Sequence, residues 1–149
     1  MKHPSSSGYS RPLTLQLIGP PSPSEVSALF SYDARDPYAV RIRFGSAHAG
    51  GMDAVTWLTG RELFRAGLDQ PTGDGDVRVG PTEPSSDVLF LQLRAPSGEA
   101  VMELSRTALA AFVRGTESLV PFGAEGAAID LDQGLAVLLS GGDADPFTG

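Results

Sequence analysis

The residues that could carry out chemistry are few in this sequence and far apart along it. The chain contains two histidines, His3 and His48, and no cysteine. His3 lies in a Ser/Pro-rich stretch and His48 in a Gly/Ala loop, so neither is expected on a rigid element that could orient a proton transfer. A Ser–His–Asp triad would need one of them as its base. Without cysteine there is no thiolate ligand, Cys nucleophile or disulfide. The sequence therefore predicts no catalytic residue.

The acidic loop Asp74-Gly75-Asp76 resembles a metal or phosphate loop only in part. An EF-hand needs a third early oxygen ligand and a later Glu at a fixed interval, and this loop has neither. It also lacks the third glycine of a dinucleotide-binding loop and the Lys-Ser/Thr of a P-loop. Asp and Gly in this pattern are typical of a turn before a strand. We expect no metal ligand and no cofactor-binding residue here.

Two arginine pairs remain as candidate partner-binding residues. Arg41 and Arg43 alternate with apolar residues on one predicted strand, and Arg61 and Arg65 have the i, i+4 spacing of one helix face. Such residues are usually solvated, but arginine is also enriched at protein interfaces, where the four could bind an acidic peptide. Trp57 lies on an apolar strand and is expected to anchor the core, with a partner contact as the alternative.

Length and charge restrict the class of protein. The chain has 149 residues, 41% apolar and 19% charged, which fits one globular domain. Eighteen acidic against eleven basic residues give a formal net charge of −7, which repels phosphate backbones. No apolar run approaches the roughly 20 residues of a membrane span, and the N-terminus lacks the apolar region of a signal peptide. We expect a cytoplasmic protein with no membrane insertion.

Hydrophobic periodicity predicts seven short strands and three helices. The strands are expected at 13–17, 28–32, 40–44, 55–58, 77–79, 88–93 and 100–104. Thr59 and Glu62 have capping-box spacing and predict a helix that ends at Gly67. Ser105 is expected to cap a second helix, and a Leu-rich pattern predicts a third that begins at Asp130.

This element order predicts an α+β fold in which helices follow each block of antiparallel strands and a C-terminal helix ends the domain. We expect a disordered arm at residues 1–12, a single domain at 13–140 and a flexible tail at 141–149.

Several strings, read in order, resemble one family. They lie between Leu13 and Leu139 and include Tyr32-Asp33, Asp36-Pro37-Tyr38-Ala39-Val40, Val55-Thr56-Trp57, Arg61-Glu62-Leu63, Pro71-Thr72-Gly73-Asp74-Gly75-Asp76-Val77-Arg78-Val79, Pro96, Gly98-Glu99-Ala100, Phe112, Thr116, Val120-Pro121 and Asp130-Leu131-Asp132. This set is similar to the SsgA-like proteins of sporulating actinomycetes. Two positions depart from the family pattern: Gly80 stands where the resemblance implies an aromatic residue, and Phe122 where glycine is commoner.

The resemblance implies a non-enzymatic regulator or adaptor that helps position or activate sporulation septa through contacts with FtsZ or another SsgA-like protein. It also implies a whirly-like fold of two antiparallel sheets, assembly as a trimer and concentration at the division septum. The alternative is a single-stranded nucleic-acid-binding protein of whirly-like fold, which the net charge of −7 opposes. A hydrolase of cell-wall precursors is a third possibility, but it lacks a positioned nucleophile and base.

Overall fold

A computed structural model of the chain describes residues 8–19, 22–45, 55–73 and 75–129. These residues form strands and helices in the order β1 (Gly8–Ile18), β2 (Ser24–Asp33), β3 (Ala39–Phe44), β4 (Val55–Gly60), α1 (Arg61–Gly67), β5 (Val77–Pro81), β6 (Val88–Ala95), β7 (Gly98–Ser105) and α2 (Arg106–Leu119). Residues 125–129 are also helical. The α+β class and the seven strands agree with the sequence pattern.

The seven strands form one antiparallel sheet rather than two. Their order across the sheet is β4-β3-β2-β1-β7-β6-β5. Strands that follow one another in the sequence pair within two blocks, β1–β4 and β5–β7. A ladder of three residue pairs, Gln16–Ile18 of β1 with Val101–Glu103 of β7, joins the two blocks. The expected description as two separate sheets is therefore not confirmed, because this short ladder makes the hydrogen bonding continuous.

The core lies on the face of the sheet that the two helices cover. The predicted alternation in β3 is confirmed: Val40 and Ile42 are buried, whereas Arg41 and Arg43 are exposed. Fully buried Phe30 of β2 contacts both helices, with ring centroids 5.7 Å from Phe64 of α1 and 5.5 Å from Phe112 of α2. Trp57 is half-buried and packs against this core, as expected of an anchor.

The first strand begins earlier than predicted. The expected disordered arm at 1–12 is wrong for its last residues, since β1 begins at Gly8 and residues 8–12 pair with β2. Tyr9 stacks on Phe112 with centroids 5.5 Å apart, which fixes this end of the strand. Pro12 is tolerated because β7 pairs with β1 only at 16–18, so β1 has a neighbour on one side there.

The two predicted helix caps have different outcomes. Ser105 caps α2 as predicted, and its Oγ accepts from the Ala108 N–H at 3.1 Å. The Thr59 cap is wrong: Thr59 belongs to β4, opposite Val40, and Gly60 is the N-cap of α1 with no side-chain cap bond. The helix expected from Asp130 and the boundaries at 140 and 141 lie outside the described residues.

Candidate functional site

Arg41 and Arg43 lie on the outer face of the sheet, opposite the helices. In β4, Leu58 stands beside Arg41 and Thr56 beside Arg43, while Leu29 of β2 flanks Arg43 on the other side. Leu58 is 60% exposed and Leu29 38%. Both guanidinium groups are therefore accessible beside apolar side chains, an arrangement suited to contact with a protein surface.

Arg41 is loosely paired. Its Nη2 lies 4.0 Å from Asp36 Oδ2, and each side chain is about half exposed. Such a pair contributes little to stability because both charges remain hydrated. The Arg41 guanidinium can therefore exchange Asp36 for a carboxylate of a binding partner at small cost.

Arg61 is not part of this surface, and the prediction that it is solvated is wrong. It is 1% exposed and lies beneath the segment that follows α2. Its Nη1 donates to the carbonyl of Val120 at 2.6 Å, and its Nη2 donates to Glu125 Oε2 at 2.5 Å. Its Nε has no hydrogen-bond partner among the described residues. The first residue of α1 thus holds the chain beyond α2 in place.

Burial and charge around Arg61 change the pKa of two neighbours. Burial raises the pKa of the Tyr32 phenol to about 12, although the Arg61 charge opposes this rise. The Tyr32 hydroxyl donates to the carbonyl of Pro37 at 2.9 Å. The hydrogen bond from Arg61 lowers the pKa of Glu125, with help from the Gly123 N–H that donates to Glu125 Oε1 at 2.9 Å. Glu125 is therefore a carboxylate at neutral pH.

Arg65 faces a different part of the surface. Its guanidinium stacks on the Phe122 ring, with its carbon 4.6 Å from the ring centroid. Its Nη1 also contacts Glu62 Oε1 at 3.2 Å, between two exposed side chains. Arg65 belongs to α1, and its side chain lines the same depression as residues of α2. It is therefore on the helical side of the sheet, away from Arg41 and Arg43.

The described residues on either side of Asp74 lead into β5. Gly73 has a φ of +104°, and the Asp76 carbonyl accepts from the Arg94 N–H at 2.9 Å. Asp74, His3 and His48 lie outside the described residues. Within the described ranges, no three His, Cys, Asp or Glu side chains are grouped to hold a metal ion. No helix in the same part of the chain is long and apolar enough to cross a membrane.

Comparison with known proteins decides the family. Residues 26–125 match the family described as Streptomyces sporulation and cell division protein, SsgA. The chain belongs to the SsgA family. This confirms the resemblance drawn from its sequence strings.

The curated relatives are sporulation-specific cell division proteins. SsgB from Frankia casuarinae is 42% identical over 132 residues, covering 87% of this chain and 90% of the relative. SsgB from Streptomyces coelicolor is 41% identical over 116 residues, covering 77% and 82%. This SsgA-family chain is thus a member of a group of cell-division proteins named for sporulation.

Solved structures of the family share this fold. A structure solved in work on SsgB mutations and longitudinal cell division during sporulation of Streptomyces coelicolor has a TM-score of 0.72 and 38% identity, and the match covers 81% of this chain and 94% of that one. An SsgA-like sporulation-specific cell division protein from Thermobifida fusca has a TM-score of 0.77 and 33% identity, and covers 91% and 98%.

In this SsgA-family chain the four predicted arginines therefore do not form one site. Arg41 and Arg43 share the outer sheet face, Arg61 is buried, and Arg65 joins two arginines of α2 that the sequence reasoning missed, Arg106 and Arg114. The missed residues are eight positions apart, which is two helical turns and therefore one face. That spacing was the signal that could have identified them.

Proposed function

We propose that this SsgA-family protein is a non-enzymatic adaptor that helps position or activate sporulation septa. Its partner is FtsZ or another SsgA-like protein. The observation that carries the proposal is the family's cell-division role together with a broad sheet face that the described helices leave uncovered. An adaptor needs accessible binding surface rather than a catalytic pocket, and the outer face supplies it.

The partner surface that we propose is centred on Arg41 and Arg43. Arginine binds carboxylates through a planar pair of donors, and the exposed Leu58 and Leu29 beside them add apolar contact. These features suit an acidic protein surface with apolar side chains at its centre.

We further propose that the protein assembles as a trimer and concentrates at the division septum. The edge strand β4 supports self-association: it ends the sheet on one side and carries the exposed Val55 and Leu58, 50% and 60% accessible. An edge strand with apolar residues offers its backbone and side chains to a second chain. Sedimentation of the purified chain tests the trimer, and a monomer at all concentrations would contradict it.

The adaptor role is tested with a functional fluorescent fusion in sporulating hyphae, imaged together with FtsZ. The wild-type protein is expected in regular bands at nascent septa. The double variant Arg41→Glu/Arg43→Glu is expected to give diffuse signal and to lose binding to its partner in a pull-down with purified FtsZ or a sister SsgA-like protein. Its thermal midpoint is expected to stay near the wild-type value, because both side chains are exposed.

A matched control is Arg11→Glu/Arg94→Glu, which makes the same change in net charge at two exposed arginines elsewhere. This variant is expected to form bands like the wild type. Loss of bands in the control would show that overall charge, rather than the Arg41/Arg43 face, sets localisation. A wild-type signal over the nucleoids would contradict the adaptor role and favour the nucleic-acid alternative.

A further inference from the structure

Two adjoining depressions lie against the exposed side of α2, and together they are called the trough here. Their volumes are about 410 and 520 Å³, and both are lined by Leu68 and Arg106. One depression extends to Ser86 near the start of α2, and the other extends to Phe122 beyond its end. The second depression follows α2 from Arg106 to Glu117, and the first meets the helix only at Arg106.

One stripe of α2 forms a wall of the trough. Arg106, Ala110, Arg114 and Glu117 are spaced i, i+4, i+8 and i+11, so they lie on one helix face. The opposite face is buried in the core. Two turns separate the two arginines, a distance of about 12 Å along the helix axis at 1.5 Å per residue.

The arginines of the trough have donors available for a ligand. Arg114 is exposed and has no ion pair with any described residue. Arg106 donates from Nε to the Leu68 carbonyl at 2.8 Å and from Nη2 to Asp69 at 2.8 Å, and this carboxylate is 77% exposed. Arg65, on the other wall, pairs with the exposed Glu62. Exposed pairs of this kind contribute little, so a bound carboxylate can replace them.

An apolar patch lies between the charged ends. Ala110, Leu68 and the ring of Phe122 line it. The Phe122 ring contacts the guanidinium groups of both Arg61 and Arg65, whose carbons lie 4.0 and 4.6 Å from its centroid. A ring fixed in this way presents a preformed contact to an apolar side chain.

We propose that the trough binds an acidic linear peptide in extended conformation, with two carboxylates four residues apart and an apolar side chain between them. An extended chain rises about 3.3 Å per residue, so four residues span about 13 Å, which matches the separation of Arg106 and Arg114.

In the depression that extends to Phe122, three arginines are lined up against one carboxylate, Glu117, in a chain of net charge −7. The other depression adds Asp69 and Asp87, so the stretch from Arg106 to Phe122 is the more positive part of the trough, and the peptide is proposed to bind there. This site is separate from the Arg41/Arg43 face, and neither proposal depends on the other.

The test uses the full chain and the fluorescein-labelled peptide Gly-Ser-Glu-Ser-Leu-Ser-Glu-Ser-Gly, with fluorescence anisotropy at low ionic strength. A second peptide replaces both Glu residues by Gln and keeps the dye and the leucine. The Glu peptide is expected to bind about tenfold more tightly, since two exposed carboxylate–arginine pairs of a few-fold each together contribute about that factor. Equal binding of the two peptides would overturn the proposal.

Two matched variants locate the binding. Arg114→Gln removes one charge from the trough and keeps a good helix former, and it is expected to weaken binding of the Glu peptide about fourfold. Arg43→Gln removes one charge from the opposite face of the sheet and is expected to change binding less than about twofold. Equal weakening by both variants, or weakening by Arg43→Gln alone, would overturn the proposal. Circular dichroism confirms that both variants are folded, and Arg65→Gln on the other wall provides a second test with the same expected loss.

Discussion

The guanidinium carbon of Arg61 lies 4.0 Å from the centroid of the Phe122 ring, although the two residues belong to different parts of the chain. Arg61 is the first residue of α1, and Phe122 follows the end of α2. The same guanidinium donates to the Val120 carbonyl and to Glu125. One buried cation therefore joins α1 to the segment after α2, and it also supports the ring that lines the trough. The stability of this junction can be tested by substitution.

Replacing Arg61 by Met is expected to lower the free energy of unfolding by about 3 kcal/mol, because it leaves Glu125 without its buried counter-charge and the Val120 carbonyl without a donor. Arg61→Lys is expected to lie between Met and the wild type, since an ammonium cannot reproduce the planar fork. Urea unfolding followed by circular dichroism measures both. The control Arg94→Met breaks an exposed pair with Glu99 and is expected to cost less than about 0.5 kcal/mol. Similar losses at the two positions would contradict the role assigned to Arg61.

The Arg61–Glu125 pair is also expected to make stability depend on pH. The hydrogen bond from Arg61 lowers the pKa of Glu125 in the folded protein below its ordinary value of 4.5. A lowered folded-state pKa stabilises the protein above pH 4.5, and this contribution is lost as the pH falls through the folded value. Glu125→Gln cannot titrate, so the stability gap between wild type and variant is expected to be largest near pH 7 and to shrink below pH 4.5. Urea unfolding across that range measures the gap, and a gap that stays constant or widens in acid would contradict the pairing.

The sequence was informative where the cause of a structure is local. The alternation of Val40 and Ile42 with two arginines predicted which face of β3 is buried. The position of Ser105 predicted a helix cap, and its hydroxyl accepts a hydrogen bond from an amide N–H only three residues further along the chain. Arg61 could not be placed in this way, because its carboxylate partner is 64 positions away and nothing in the i, i+4 spacing with Arg65 distinguishes a buried arginine from a solvated one. The single sheet was missed for the same reason, since it depends on a three-pair ladder between distant strands.

The different outcomes at Ser105 and Thr59 predict unequal effects of the same substitution. Ser105→Ala removes the hydroxyl that accepts from Ala108 N–H and is expected to cost about 1 kcal/mol. Thr59→Ala removes no cap bond, because Thr59 lies in β4. This substitution is expected to lower the free energy of unfolding by about 0.5 kcal/mol or less, through strand propensity and packing. Thermal unfolding of the two variants side by side makes the comparison. A larger loss for Thr59→Ala would indicate that the capping box predicted from the sequence forms after all.

Gly80 is required by the close approach of another part of the backbone, and Gly80→Ala is expected to destabilise the protein. A Cβ at this position would lie 2.4 Å from Pro71 Cα and 2.8 Å from Pro71 N. The approach is fixed, because Thr72 and Val79 exchange two backbone hydrogen bonds at 2.8 and 3.1 Å. Since the obstacle is backbone rather than a flexible side chain, the strand or its neighbour must shift.

The expected loss for Gly80→Ala is about 1–3 kcal/mol, the usual cost of inserting a methyl group into filled space. Gly75→Ala is the matched control, because a Cβ there meets no heavy atom of the described residues within 4 Å. Its free energy of unfolding is expected to stay within about 0.5 kcal/mol of wild type. Urea unfolding measures the free energy of unfolding of both variants. The dependence of that free energy on urea concentration is compared between them. A Gly80→Ala variant as stable as the control would show that β5 does not lie against Pro71 in solution.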